Sequence, residues 1–307
     1  MSVKNIHIVF NPASTGGKTG ENKSMILTEL HNQLGNGFEL SETRNKTDAH
    51  TIAKKAISSG CKIIIAVGGD GTVNQVVNGF FENGSPLNQN PRLGILSFGT
   101  GQGFAQSIGL PKDIISQIKI IRNDYTRSID VGKISFVNGQ PSMYFVNELQ
   151  FGIGGTICKN ITPVVKKLLG KSAFGFEAVK TLMRQRANQF TMKINGKSIT
   201  QNMIGVIIAN GAYTGGGMRL TPDAIPDDGF FEVLLIKEMS LLKRLRSFTK
   251  IYSGKHLDMS GFQLFRTNEL EFDNENFPDA EADGELISTK CISAEVIPSA
   301  LKVLMKN

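Results

Sequence analysis

The stretch Ala66-Val-Gly-Gly-Asp-Gly-Thr-Val-Asn-Gln-Val-Val-Asn-Gly79 joins an apolar strand to a helix through a glycine-rich turn. The strand is expected over Lys62–Val67, the turn over Gly68–Gly71 and the helix over Thr72–Phe81. Glycines at 68, 69 and 71 let backbone come close to a phosphate. The free N–H groups and positive dipole end of a helix N-terminus favour an anion. Asp70, inside the turn, is ill suited to touch phosphate itself. It suits a magnesium ion, bound directly or through water, because that cation bridges nucleotide phosphates. A plain strand-to-helix turn needs no acid there.

Two further turns share this character. Val9-Phe-Asn-Pro-Ala-Ser-Thr-Gly-Gly-Lys18 follows the first strand, with Asn11, Ser14 and Thr15 as polar caps. Its tail Gly17-Lys18-Thr19 looks like the end of a P-loop. The earlier glycine that a P-loop needs falls on Pro12, which excludes the Walker A pattern. Ser97-Phe-Gly-Thr-Gly-Gln-Gly-Phe-Ala105 is the third. Three such turns on one face of a parallel sheet define a shared nucleotide crevice.

These turns resemble the diacylglycerol kinase catalytic family, which includes bacterial soluble lipid kinases and sphingosine kinases. The resemblance runs over nearly the whole chain. Asn11-Pro12, Thr43 five residues before Asp48-Ala49, the Gly68–Thr72 block with Asn74 and Asn78-Gly79, and Gly99-Thr100 stand in family order. Asn210-Gly-x-Tyr213, Gly215–Gly217, Pro222-Asp-Ala-x-x-Asp-Asp-Gly229 and Asp283-Gly284-Glu285 follow.

The resemblance implies an α/β nucleotide domain, a β-sandwich domain, and a last segment that returns to the first domain. It implies that ATP is contacted by Asn11, Pro12, Ala13, Ser14 and Thr15, by Thr43, by Gly68, Gly69, Asp70, Gly71, Thr72, Val73 and Asn74, and by Thr100. It implies a magnesium site at Asp228 with the carbonyls of Ile225 and Phe230. It places Asp70, Asp283 and Glu285 in the catalytic set, with Asp283 or Glu285 as general base. One carboxylate must take the proton of a lipid hydroxyl as it attacks the γ-phosphorus, and the rest is positioning and charge neutralisation. Like-charge neighbours raise the pKa of either candidate. The sequence leaves the choice between them open.

One position departs from the family. The usual Gly-Thr-x-Asn-Asp-Phe-Ala reads Gly99-Thr100-Gly101-Gln102-Gly103-Phe104-Ala105 here. That removes an acid from the network around magnesium, but Asp70, Asp228, Asp283 and Glu285 remain, which favours an active enzyme. The leading expectation is an ATP- and magnesium-dependent lipid kinase, with diacylglycerol as default substrate and a sphingoid base or other lipid alcohol as the near alternative. A NAD kinase shares the Gly-Gly-Asp-Gly block, and Gln102-Gly103 also motivates a catalytically silent nucleotide- or lipid-binding regulator. Tyr213–Gly217 and the Asp228 motif favour the lipid kinase.

The elements that must hold these residues alternate strand and helix through the first 125 positions, the pattern of a doubly wound α/β domain. Helices are expected at Glu21–Leu34 (Met25, Ile26, Leu30 and Leu34 on one side), at Ala49–Ser59 capped by Asp48, and at Ile114–Arg122. From 126 to 297 short strands dominate, among them Ser142–Gln150, which suggests an antiparallel sandwich. Two helices interrupt them, at Thr162–Arg186 and Ser240–Tyr252. Residues 298–307, with Ala300–Met305, form the returning piece. The 307 residues suit two domains.

Composition narrows the partners. The chain is 40% hydrophobic with a net charge of +7 and 33 glycines. No apolar run reaches membrane-spanning length, and the start carries no convincing signal peptide. Cys61, Cys158 and Cys291 form neither a disulfide framework nor a zinc site and fit a reducing cytosol. The basic stretches Lys166–Arg186 and Lys243–Lys255 contrast with the acidic run Glu269–Glu285. They suit either a half-buried helix or contact with an anionic membrane. The expectation is therefore a cytoplasmic protein, peripheral to the inner face of the membrane, meeting ATP and a lipid but no nucleic acid. A homodimer is left open.

Overall fold

The computed structural model describes residues 5–45, 47–87, 91–98, 101–161, 173–273 and 278–307. Five strands line up in parallel, in the order β2 (Phe38–Glu42), β1 (Ile6–Phe10), β3 (Ile63–Gly68), β6 (Arg92–Ser97) and the end of β17 (Cys291–Leu304). All six residues of β3 are buried, as expected for a strand covered on both faces. Alternate side chains serve the two covers. Ile63, Ile65 and Val67 pack with Ile26 and Leu30 of α2 (Lys23–Leu34) and Ile118 of α6 (Ile114–Asn123). Ile64 and Ala66 pack with Ala53 and Ile57 of α3 (Asp48–Ser58) and Val73 and Val77 of α4 (Asp70–Asn78). Two short helices, α1 (Lys18–Glu21) and α5 (Gly103–Ser107), follow the first and third turns. A two-residue hairpin pair, β4 (Phe81–Glu82) with β5 (Ser85–Pro86), follows α4.

The remaining strands pair antiparallel. One path runs β17, β14 (Glu269–Phe272), β10 (Asn188–Ile194), β11 (Lys197–Ala209), β9 (Glu148–Gly152), β15 (Ala280–Ala282), β16 (Glu285–Ile287). β12 (Phe231–Lys237) and β13 (Phe262–Thr267) extend from β11, while β7 (Thr126–Phe136) and β8 (Met143–Phe145) extend from β17. Their inward faces share one core around Phe145, Phe151, Phe190, Phe231 and Phe272. Three helices lie on β11 and β12: α7 (Ile153–Asn160), α8 (Ala173–Arg184) and α9 (Leu241–Ile251).

Several sequence expectations shift. Met25 is exposed, because Ile26 and Leu30, one turn apart, define the buried stripe. Asp48 opens α3 but caps the chain before it, accepting from the N–H groups of Arg44 and Asn45 at 2.7 and 3.0 Å. The helix at 70 begins two residues earlier than expected, so Asp70 belongs to it. The expected strand Ser142–Gln150 is two strands with a break at Val146–Asn147. Of the expected helix Thr162–Arg186, positions 162–172 lie outside the described residues, and α8 accounts for most of the rest. Helix α7 and the hairpin β15–β16 are not among the expected elements.

The C-terminal strand joins both parts. Cys291–Ile297 pairs with β7, and Lys302 and Val303 align with Arg92 and Leu93 of β6. Its register breaks between Ile297 and Leu301. There Asp130, buried, accepts from the Ser299 N–H at 2.7 Å and from the Gly229 N–H at 2.7 Å.

Candidate active site

The strand order places the turns after β1 and β3 at the point where the crossovers reverse direction, the usual crevice of an open parallel sheet. Side chains staple these turns together. Asn11 Nδ2 donates to Thr72 Oγ1 at 2.9 Å, so the first turn leans on the first turn of α4. Thr15 Oγ1 donates to the Phe98 carbonyl at 3.1 Å, tying it to the third turn. The Ala13 N–H donates to Asn11 Oδ1 at 3.1 Å, and Pro12 O accepts from the Gly20 N–H at 3.1 Å. Ser14 Oγ and Thr19 Oγ1 lie 2.5 Å apart. Thr43 N–H donates to Phe10 O at 2.9 Å, which brings the end of β2 to the same rim. Thr15, Gly16 and Gly17 all have positive φ, which turns successive backbone groups to one side. At Gly68 a Cβ would lie 2.5 Å from Thr72 Oγ1, so this turn closes only on glycine. Of the residues expected to contact ATP, Thr100 lies outside the described residues, Val73 packs into the core, Asn74 is buried and turns its amide to Tyr144 O and Asp283, and the others gather at this crevice.

Asp70 points from the start of α4 toward the third turn, where the backbone N–H groups of Gln102 and Gly103 hydrogen-bond to its carboxylate. Burial, and then the charge of Asp283, still push its pKa up to about 6. Gly103 abuts the second part of the molecule: a Cβ there would sit 2.9 Å from Tyr213 O and 3.1 Å from Asn147 Nδ2. The acid that the family carries at this position has no room here without a shift of Tyr213 or Asn147.

Asp283 and Gly284 form the two-residue loop between β15 and β16, both at positive φ, the backbone of a type I′ hairpin turn. The Asp283 carboxylate is fully engaged. Oδ1 accepts from the N–H groups of Asn147 and Glu148, each at 2.9 Å. Oδ2 accepts from the Val146 N–H at 2.8 Å and from Asn74 Nδ2 at 3.0 Å. These contacts explain the break between β8 and β9, whose N–H groups turn to the carboxylate. Burial raises the Asp283 pKa, and the four donors oppose the rise. Glu285 packs over the phosphate turn, its Oε1 2.6 Å from where a Cβ on Gly71 would be.

Two acids that the sequence reading missed complete the cluster. Glu148 accepts from Thr214 Oγ1, and Glu281 accepts from the Gly284 N–H at 2.6 Å. Both are buried. Burial first, and then neighbouring carboxylates, push Glu281 up to about 8 and Glu148 well above the usual range. The signal for Glu281 was present: Ala280-Glu281-Ala282 alternates before Asp-Gly, a strong short-range hairpin pattern. Glu148 gave no such signal.

Asp70, Glu148, Glu281 and Asp283 line the polar end of a cavity whose remaining wall is mostly apolar. Ile153 and Ile157 of α7, Ala178 and Leu182 of α8, and Phe248 and Ile251 of α9 face Ile204, Ile207 and Ile236 of the sheet across it. Asp228, Ile225 and Phe230 do not line this cavity. Asp228 Oδ2 pairs with Arg266 Nη2 at 2.7 Å and its Oδ1 accepts from the Phe230 N–H at 3.0 Å. Arg266 also lies over the Phe230 ring, 4.5 Å from its centroid. Among the described residues no group of three or more His, Cys, Asp or Glu side chains is arranged to hold a metal.

Glycine-rich turns at the switch point meet an apolar cavity at a knot of carboxyls, an arrangement that suits phosphoryl transfer to a lipid acceptor. Comparison with known proteins agrees. Residues 5–134 match the diacylglycerol kinase catalytic domain, and residues 150–305 match the YegS C-terminal NAD kinase beta sandwich-like domain. The chain is 28% identical over 284 residues to a diacylglycerol kinase of Bacillus subtilis (strain 168), covering 92% of this chain and 90% of that one. It is 28% identical over 254 residues to a diacylglycerol kinase of Staphylococcus haemolyticus, covering 81% and 72%. A solved chain from Bacillus anthracis str. Sterne superposes with a TM-score of 0.81 at 22% identity, covering 99% of this chain and 95% of that one. The chain thus belongs to the diacylglycerol kinase catalytic family with a YegS-type C-terminal domain, and it is an ATP-dependent lipid kinase. Among the described residues no helix is long and apolar enough to cross a membrane.

Proposed function

We propose that the acceptor is diacylglycerol and the product phosphatidic acid. The observation that carries this reading is the cavity under α7, α8 and α9, mostly apolar and lined by carboxyls where it meets Asp70. Acyl chains fit the apolar wall, and the free hydroxyl comes to the carboxyls. The names of the relatives support the same substrate.

We assign the proton-accepting role to Asp70. Asp283 has both oxygens committed to two donors each and serves as an anchor. Glu281, pushed up to about 8, keeps most of its proton at neutral pH, and burial pushes Glu148 in the same direction. Asp70, with a pKa near 6, is mostly ionised there and lies on both the phosphate turn and the cavity. The lipid oxygen forms its bond to the γ-phosphorus, the bond to the ADP oxygen breaks, and the hydroxyl proton passes to Asp70. The turns at Asn11–Gly17 and Gly68–Asn74 hold the nucleotide. Magnesium would enter with ATP and would supply charge neutralisation at the turns that hold the nucleotide. A cation at Asp228 with the Ile225 and Phe230 carbonyls would have to displace Arg266 from that carboxylate. We also place the domain limits at 125/126 and 297/298, which β17 bridges. ATP supply puts the enzyme in the cytoplasm, at a membrane that holds its substrate.

Transfer of label from radioactive ATP to a panel of lipids in detergent micelles, with NAD as a further acceptor, tests the substrate. Label in phosphatidic acid supports the proposal. Label confined to a sphingoid base or to NAD overturns it, and nucleotide binding without transfer would mark a silent regulator.

A further inference from the structure

Helices α8 and α9 roof the cavity, and their outer faces share one unusual make-up. On α8, Phe176, Lys180 and Met183 recur at helical spacing and form a single outward stripe, with Phe176 58% and Met183 48% exposed. On α9, Leu241 and Leu242 at the N-terminal end are 50% and 78% exposed. Lys243, Arg246 and Lys250 continue that outer face, while Ser247, Phe248 and Ile251 turn inward to the cavity. Arg184 and Arg186 follow at the end of α8. Among the described residues the one ion pair on these faces joins Lys180 to Glu177.

A buried arginine holds the two helices in one arrangement. Arg244 Nη1 donates to the carbonyls of Leu182 at 3.2 Å and Gln185 at 2.6 Å, and its Nε donates to Met239 O at 2.9 Å. The end of α8 and the start of α9 are thereby fixed side by side. Arg244, Arg184 and Arg186 line one surface cleft there with a single acid, Glu238.

We propose that the outer faces of α8 and α9 are the surface by which the enzyme lies on an anionic bilayer, with Leu241 and Leu242 entering among the acyl chains and the surrounding bases meeting lipid phosphates. Large apolar side chains ringed by unpaired bases match an interfacial helix. The charge selects the occupant, since a second copy of the same face would bring like charges together. The roof is one helix thick, about 10 Å, so a docked bilayer lies that far from the cavity. This proposal rests on the lipid-kinase reading and adds where the lipid is met.

The test uses the full chain in co-sedimentation with vesicles of phosphatidylcholine alone or mixed with phosphatidylglycerol, alongside transfer assays on vesicles and on detergent micelles. The wild type is expected to bind the mixed vesicles and to release as salt rises. Leu241→Glu/Leu242→Glu is expected to lose at least tenfold in vesicle binding and vesicle activity while keeping micelle activity. Arg246→Glu is expected to lose about fivefold or more in binding, from roughly 1 kcal/mol per basic residue near such a surface. Phe176→Ser checks the face independently of α9. Equal binding to neutral and mixed vesicles, or variants that bind like wild type, overturns the docking surface. A wild type that phosphorylates no lipid in micelles overturns the substrate reading instead, whatever the vesicles show.

Discussion

Asn74 in α4 donates from Nδ2 to Asp283 Oδ2 at 3.0 Å, across 209 positions of sequence. The same amide reaches the Tyr144 carbonyl at 2.9 Å. One turn on, Asn78 repeats the pattern, donating to Tyr144 O and accepting from the Tyr144 N–H, both at 2.9 Å. Helix α4 thus grips the strand break and the hairpin beside the apolar cavity. Nucleotide turn and acceptor cavity are held together by buried polar contacts.

Asp283→Asn is expected to destabilise the protein and not merely slow it. An amide cannot accept from four donors, and buried hydrogen bonds to a charged group contribute about 1.5–3 kcal/mol. A loss of roughly 2–4 kcal/mol should appear in thermal unfolding, with faster amide exchange at Val146–Glu148. An unchanged melting temperature would show that Asp283 is no anchor.

Asp70→Asn leaves the shape of the turn and removes the proton acceptor. A general base contributes about 10²–10⁴-fold, so kcat should fall at least a hundredfold while ATP affinity and stability hold. The wild-type rate should rise with pH through about 6 as Asp70 ionises. That limb should vanish in the variant, and a variant that keeps it assigns the proton to another group.

Glu281 gives a pH prediction for stability. Burial keeps its carboxyl protonated up to about pH 8 in the folded state, whereas an unfolded glutamate ionises near 4.3. Its contribution is therefore full below the unfolded value and is lost as pH rises through 8. Glu281→Gln should melt close to wild type at pH 5 and above it at pH 8.5. Parallel melting curves across that range would count against a buried, proton-holding Glu281.

Filling the cavity should separate lipid from nucleotide. Ala178 is buried in the cavity wall on α8. Ala178→Phe should raise KM for long-chain lipid several-fold, leave a short-chain acceptor less affected, and leave KM for ATP unchanged. Equal effects on ATP would place the defect outside the cavity.

The first half was legible because its strands are short and alternate with helical patterns, and β3 is apolar throughout and ends on glycine, so local chemistry and fold agree. The three turns were found from Gly68–Gly71 and its companions alone. The second half was harder because its site is made by long-range contacts. Glu148 reads as one acid in an alternating strand, and only the fold brings it beside Asp70 and Glu281. Within the acidic run Glu269–Glu285, Glu281 and Asp283 are buried because the Asp-Gly turn folds them inward. Gln102-Gly103 was legible as a departure, but its cause, the closeness of Tyr213 O to Gly103, was not.

The C-terminal strand carries a consequence for how this enzyme is made. Until residues 291–304 leave the ribosome, β6 has an open parallel edge and β7 lacks its longest neighbour. An emerging nucleotide domain therefore cannot finish on its own, and it exposes an unpaired strand of the kind that recruits stray chains. Closure of that edge, through the bulge that Asp130 holds at Ser299, would come late. It would also couple completion of the ATP crevice to completion of the lipid domain, so that a truncated chain has neither.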